Sequence, residues 1–489
     1  MSDEKAFSGT VAMAGASVLR IAIQIALLPL IGRLLGPVAY GQIALVAPFV
    51  FFAMTLAESG LGTCLVRADE ATPALQGTIF CFSTALSLTI ILAFAALAYP
   101  LGAVVHEPAF PALLMGMSVI LLLAAVYIVP AGLLLRAKRY DIMALSDVAS
   151  TVAGLLAVGL GIWSGWGVWS LIAQQIALWT AKLVVVTFAA RWWPVFLFSR
   201  RLLADNLKFG MSLTASAIVG LISRNIDNIL IGAFMGTLTL GFYALAFQIV
   251  VLPQMVFSGS IYYTTFQRVA AAHRLGAASP QPFLRMLRGS LLIGMPMVIG
   301  LVATAPVSIR LMLGERWEPS ILVVLLLTPF GMAQTIWPIL SGVLTGQGRS
   351  GTILKLGLIG SVATILAIFA GLPFGSAGVA IGVSLSALFG VALPLRSIAT
   401  SYGLSLSAIL GPFVPAVTSA LVMGGGVLAL EPFVLARMNP ALALATLVAV
   451  GIVAYAIVLL GLFHRHVASD VDMFRAALLL RLRGKGVTP

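Results

Sequence analysis

The stretch LIGRLLGPVAYGQIAL, residues 30–45, returns at residues 230–245 as LIGAFMGTLTLGFYAL. Seven positions agree at an offset of 200: Leu30/Leu230, Ile31/Ile231, Gly32/Gly232, Gly36/Gly236, Gly41/Gly241, Ala44/Ala244 and Leu45/Leu245. Each copy joins the end of one long apolar run to the start of the next. Glycine and leucine dominate apolar sequences, so chance is one explanation; the shared position relative to the runs speaks against it. Read as a duplication, the pattern predicts two halves of six or seven helices in the same orientation. Such parallel repeats are related by an axis along the membrane normal and rock about a site at mid-depth. The glycines permit close helix contact and a tight turn.

Composition places the chain in a bilayer. Hydrophobic residues make up 61% of the 489 and charged residues 9%, against about 25% charged in soluble domains. The expected class is an all-α polytopic membrane protein with fourteen spans. These lie near 10–32, 38–62, 74–98, 110–134, 143–163, 167–190, 208–233, 238–266, 289–313, 320–345, 352–371, 376–396, 406–430 and 440–463. With the N-terminus inside, the cytoplasmic segments hold 20 of the 28 Lys and Arg; the outer loops hold only Arg33, Arg316 and Arg437. That asymmetry predicts cytoplasmic termini. It also explains the net charge of +13 without nucleic acid as a partner. The first apolar run is too long for a cleavable signal peptide, so none is expected. Cys64 and Cys81 are too few for a disulfide framework.

The organisation expected is an N-lobe over 1–190, a cytoplasmic linker over 191–207 and a C-lobe over 208–400. Two further spans follow over 401–463, then a basic cytoplasmic tail over 464–489. Arg20 and Arg224 sit mid-span in the first helix of each half. A cation at that depth costs about 2.5–3.5 kcal/mol, which predicts a polar cavity between the helices that carry them. The guanidinium fork suits pyrophosphate or carboxylate, so the cargo is expected to be anionic.

The segment RNIDNILIGAFMGTLTLGFYALAFQIVVLP (224–253), with LLPLIGRLLGPVAYGQIAL (27–45) and SGLGTCLVRADEATPALQGTIF (59–80), resembles the polysaccharide and O-antigen (Wzx-type) flippases. These belong to the multidrug/oligosaccharidyl-lipid/polysaccharide exporter superfamily. The resemblance implies a fourteen-helix fold of two six-helix lobes plus two C-terminal helices; the mid-span arginines would make the cavity between the lobes central and cationic. It implies a transporter, not an enzyme, that moves an undecaprenyl-pyrophosphate-linked oligosaccharide from the inner to the outer leaflet of the bacterial inner membrane. A polysaccharide polymerase and export components are candidate partners.

Within that reading Arg20 would take the pyrophosphate and Gln24, four residues on and on the same face, a sugar hydroxyl. Arg224, Asp227 and Asn228 share a face of span 7. Asp227 would compete with cargo phosphate for Arg224, or take Na⁺ or H⁺ as coupling ion. The alternative is an internal ion pair that cancels its own charge. Glu58, in the inner third of span 2, is a second coupling candidate or a helix cap at ESG. Lys182, with Gln174 and Gln175, is a candidate vestibule residue. His106, His273, His464 and His466 fall in loops or the tail, so no metal site is expected, and no phosphate-cradling loop suggests ATP hydrolysis. Rival readings are a multidrug antiporter of the superfamily, a lipid II flippase, and a membrane glycosyltransferase or polymerase. The last would need a long outer loop, which the sequence lacks.

Overall fold

The computed structural model describes residues 2–274 and 279–464, with the side chains of Arg20, Gln24 and Arg224 outside the described set. The described residues are helical, with no strand among them. The order is α1 (Ser2–Glu58), α2 (Leu61–Arg67), α3 (Pro73–Val104), α4 (Phe110–Arg136), α5 (Tyr140–Trp163), α6 (Trp169–Ala190), α7 (Arg200–Arg274) and α8 (Gln281–Met312). Then come α9 (Pro319–Leu326), α10 (Thr328–Gly346), α11 (Ser350–Gly371), α12 (Gly375–Tyr402), α13 (Leu406–Leu410), α14 (Phe413–Leu435) and α15 (Pro440–Leu462). Helix starts follow ordinary capping chemistry. Thr72 accepts from the Leu75 N–H ahead of Pro73, and Asn439 from the Leu442 N–H ahead of Pro440. In each case proline takes the first helical position, where no N–H is needed.

α1 and α7 run for 57 and 75 residues, far beyond the roughly 20 that one crossing needs. Each contains one non-helical residue, and the two are equivalent glycines of the repeat: Gly36 at φ 76°, ψ 176° and Gly236 at φ 81°, ψ 169°. That backbone region is essentially closed to residues with a Cβ. The helices continue through Pro29, Pro48 and Pro253 and change course at the glycines instead.

The two copies of the repeat also touch each other reciprocally. A Cβ on Gly41 would overlap the Thr237 carbonyl oxygen, and a Cβ on Gly241 would overlap the Pro37 carbonyl oxygen. Pro37 and Thr237 are themselves 200 residues apart, so the contact is two-fold in pattern. Small residues allow backbones to meet where lipid supplies no hydrophobic drive for helix association.

The chain divides into two compact units, Met1–Leu245 with Phe374–Ser376, and Ala246–Pro373 with Ala377–Pro489. The contact between repeat copies lies inside the first unit. That unit also packs Leu61, Leu65, Ile79, Val129 and Trp192 into one apolar cluster. The second is built on Phe283, Leu287, Leu291, Ile339, Leu340 and Val343. Among the described residues ten helical stretches are long and apolar enough to cross a membrane, or eleven with the bent pair α9–α10. One of them, Gly351–Tyr402, has 52 residues and contains both α11 and α12, more than twice the length of a crossing.

Candidate functional site

Three places in the first unit carry the chemistry-bearing residues. The first is a cavity of about 670 Å³ between α1, α2, α4, α5 and α6, with Leu221 of α7 at its edge. Its walls are mainly apolar, including Phe51, Met54 and Ile128; Thr55, Glu58, Thr63, Tyr127 and Tyr140 contribute polar atoms. Glu58 is the last residue of α1. Ser59 and Gly60, at φ 46° and 63°, then turn the chain into α2. The turn presses on α7, because Gly60 meets the backbone of Gly210. The Glu58 carboxylate faces the cavity and has no hydrogen-bond or ionic partner among the described residues. The helix-cap alternative therefore has no bond to support it.

The second place is an ion pair. Lys182 Nζ lies 2.6 Å from Asp147 Oδ1, with 17% and 19% of the two side chains exposed. The ammonium also sits 5.9 Å from the Trp179 ring centroid. Trp179 packs edge-on against Tyr127, at 5.7 Å between centroids, and both rings line the cavity. Lys182 thus stands behind the cavity wall rather than on it. Asp147 was absent from the candidates drawn from sequence. The available signal was its place in the span at 143–163, since an intramembrane charge seeks an opposite one.

The third place joins the two arms of α7. Asp227 is 6% exposed. Its Oδ2 accepts from the Tyr243 hydroxyl at 2.8 Å and its Oδ1 from the Asn228 N–H at 2.9 Å. Tyr243 is completely buried. Asn228 is half-buried. Asp227 and Glu58 are not brought together. The equivalents of Asp227 and Tyr243 in the first copy are Leu27 and Ile43, so this bond belongs to the second copy alone. No sequence signal distinguished Tyr243 from an apolar aromatic. Arg20, Gln24 and Arg224, the proposed anion contacts, have side chains outside the described residues. No group of three or more His, Cys, Asp or Glu fit for a metal ion occurs among the described residues.

Comparison with known proteins places this geometry. Residues 30–322, which include both copies of the repeat and the cavity, match the family model described as polysaccharide biosynthesis protein. The teichuronic acid biosynthesis protein TuaB of Bacillus subtilis strain 168 is 25% identical over 324 residues, 63% of this chain and 66% of that one. The lipopolysaccharide biosynthesis protein WzxC of Escherichia coli strain K12 is 22% identical over 79% of this chain and 78% of its own. The succinoglycan biosynthesis transport protein ExoT of Rhizobium meliloti strain 1021 is 25% identical over 71% and 70%. Among solved structures, lipid II flippase MurJ in an inward closed conformation superposes with a TM-score of 0.74. The match has 14% identity and covers 94% of this chain and all of that one. An inward-facing multidrug resistance MATE family transporter gives 0.63 at 17% identity, over 80% and 99%. At these identities the structural matches establish the fold. The sequence match, spanning more than half the chain, establishes the family: this protein belongs to the polysaccharide biosynthesis protein family, built on the helical fold shared by MurJ and the MATE transporters.

Proposed function

We propose that the protein is a flippase, not an enzyme. It carries an undecaprenyl-pyrophosphate-linked oligosaccharide from the inner to the outer leaflet of the bacterial inner membrane by alternating access. The single observation that carries this reading is the paired hinge. Gly36 and Gly236 hold the same unusual backbone conformation 200 residues apart, inside the segment that matches the family. Two copies of one hinge are what rocking between two-fold-related helix pairs requires. The names and extents of TuaB, WzxC and ExoT support a lipid-linked polysaccharide precursor as cargo.

In this reading the chain crosses the bilayer fourteen times with both termini in the cytoplasm, and the Gly36 and Gly236 hinges face outward. Arg20 and Arg224 meet the pyrophosphate, with Gln24 and Asn228 on the glycan. The polyprenyl tail stays in lipid. Glu58, without a partner among the described residues at its cavity, is the better candidate for a coupling Na⁺ or H⁺; Asp227, bonded to Tyr243, has less freedom to exchange partners. Polymerase and export components would receive the product.

The test is export of surface polysaccharide by Arg20→Ala and Arg224→Ala variants at matched membrane levels. Both should lose most export, with lysine rescuing only in part because it lacks the bidentate fork. Wild-type export from both would refute the cationic-site assignment. The fold shared with MurJ makes lipid II the second cargo to consider. Depleting the protein and identifying the lipid-linked glycan that accumulates separates the two.

A further inference from the structure

The short loop between α3 and α4 places one carboxylate on both copies of the repeat. Glu107 Oε2 accepts from the Thr237 hydroxyl at 2.8 Å, and Oε1 accepts from the Gln42 side-chain amide at 3.1 Å. Oε1 also accepts from the Ala109 N–H at 3.3 Å. Thr237 follows the Gly236 hinge directly, and Gln42 follows Gly41, whose own face lies against the Thr237 carbonyl. The loop is built to hold this pose. His106 adopts a left-handed conformation at φ 54°. The Glu107 N–H returns to the Gly102 carbonyl at 3.2 Å, and the Glu107 carbonyl accepts from Phe110 at 3.1 Å. The carboxylate therefore arrives from a third element, already ordered, at the place where the two copies meet.

We infer that Glu107 is a positioning residue of the transport cycle: a latch that holds the hinge-bearing ends of the two repeat copies together. The inference rests on the alternating-access reading above, in which this end must part to release cargo. A surface loop has no packing reason to place a charged group on these two side chains. Both bonds are made to a carboxylate acceptor, among the stronger classes of hydrogen bond. At least one of them must break if the Gly41–Thr237 and Gly241–Pro37 contacts separate. The latch is reversible because Glu107 is only half-buried, so water can replace either partner when the ends part.

The experiment reads the distance between the copies without any cargo. Spin labels go on Val38→Cys and Leu238→Cys, equivalent positions that are 44% and 48% exposed, in a chain carrying Cys64→Ser and Cys81→Ser. Pulsed electron resonance in lipid nanodiscs gives the populations of near and far separations. Glu107→Ala should raise the far-to-near ratio by about tenfold, the loss expected for charge-assisted bonds partly replaced by water. Thr237→Val, nearly isosteric, should raise it less. Adding Glu107→Ala to Thr237→Val should then do less than Glu107→Ala alone. Glu107→Gln can still accept from Gln42 and donate to Thr237, so it should restore most of the near population.

An unchanged distance distribution in Glu107→Ala and in Thr237→Val would overturn the latch. Because the readout needs no substrate, its failure is separable from failure of the flippase assignment. A shifted distribution beside normal polysaccharide export would confirm the contact but overturn its role in the transport cycle, with the flippase assignment untouched.

Discussion

Removing Lys182 should damage the fold through Asp147, and the damage should be reversible by a second change. The two groups form a 2.6 Å ion pair between α5 and α6, each with less than a fifth of its side chain exposed. Deleting one member of a fully buried pair costs about 3–5 kcal/mol, chiefly because the other is left charged without a partner. Residual exposure and the nearby cavity let some water reach Asp147, so the cost falls to the bottom of that range or somewhat below it. We expect about 2–3 kcal/mol for Lys182→Met, or roughly 30- to 150-fold in the unfolding equilibrium. Asp147→Asn/Lys182→Met removes both charges and should recover most of that loss, since a buried pair is often matched by neutral groups of similar volume.

Equilibrium unfolding in mixed micelles measures both variants against the parent. The reasoning fails if Lys182→Met is within about 0.5 kcal/mol of the parent, the range usual for an uninvolved surface site. It fails equally if the double variant is no more stable than Lys182→Met. The same pair of proteins tests the vestibule reading of Lys182. At matched membrane level, normal export by the double variant would make Lys182 a structural cation. Lost export would keep it in the transport path.

Gly36→Ala and Gly236→Ala should each cost about 1–3 kcal/mol, because alanine is strained at the φ and ψ these residues hold. Gly159→Ala, at a position with open space around it, should be neutral or mildly stabilising; equal melting temperatures for all three variants would refute the hinge assignment. Tyr243→Phe leaves one buried Asp227 oxygen without its donor and should destabilise by about 1.5–3 kcal/mol. Asp227→Asn keeps hydrogen-bonding atoms at both positions and should cost less than Tyr243→Phe in the same unfolding measurement, and the reverse order would refute the bond as the main role of Tyr243.

The membrane class and the repeat were legible in the chain itself. Burying apolar side chains in lipid is a local property, additive along 20-residue windows, so spans can be marked without knowing what they touch. A glycine required for its backbone also announces itself when it recurs at a fixed offset, as Gly36 and Gly236 do. The partners were not legible. Asp147 with Lys182, Tyr243 with Asp227, and Glu107 with Thr237 and Gln42 join residues from 16 to 130 positions apart. In a bilayer every apolar face is equally content against lipid, so hydropathy does not say which helix faces meet. Close backbone approach at a few small residues and the satisfaction of scattered polar groups decide it. Gly41 against Thr237 and Gly241 against Pro37 are contacts of that kind, and they became visible only when the helices were set side by side.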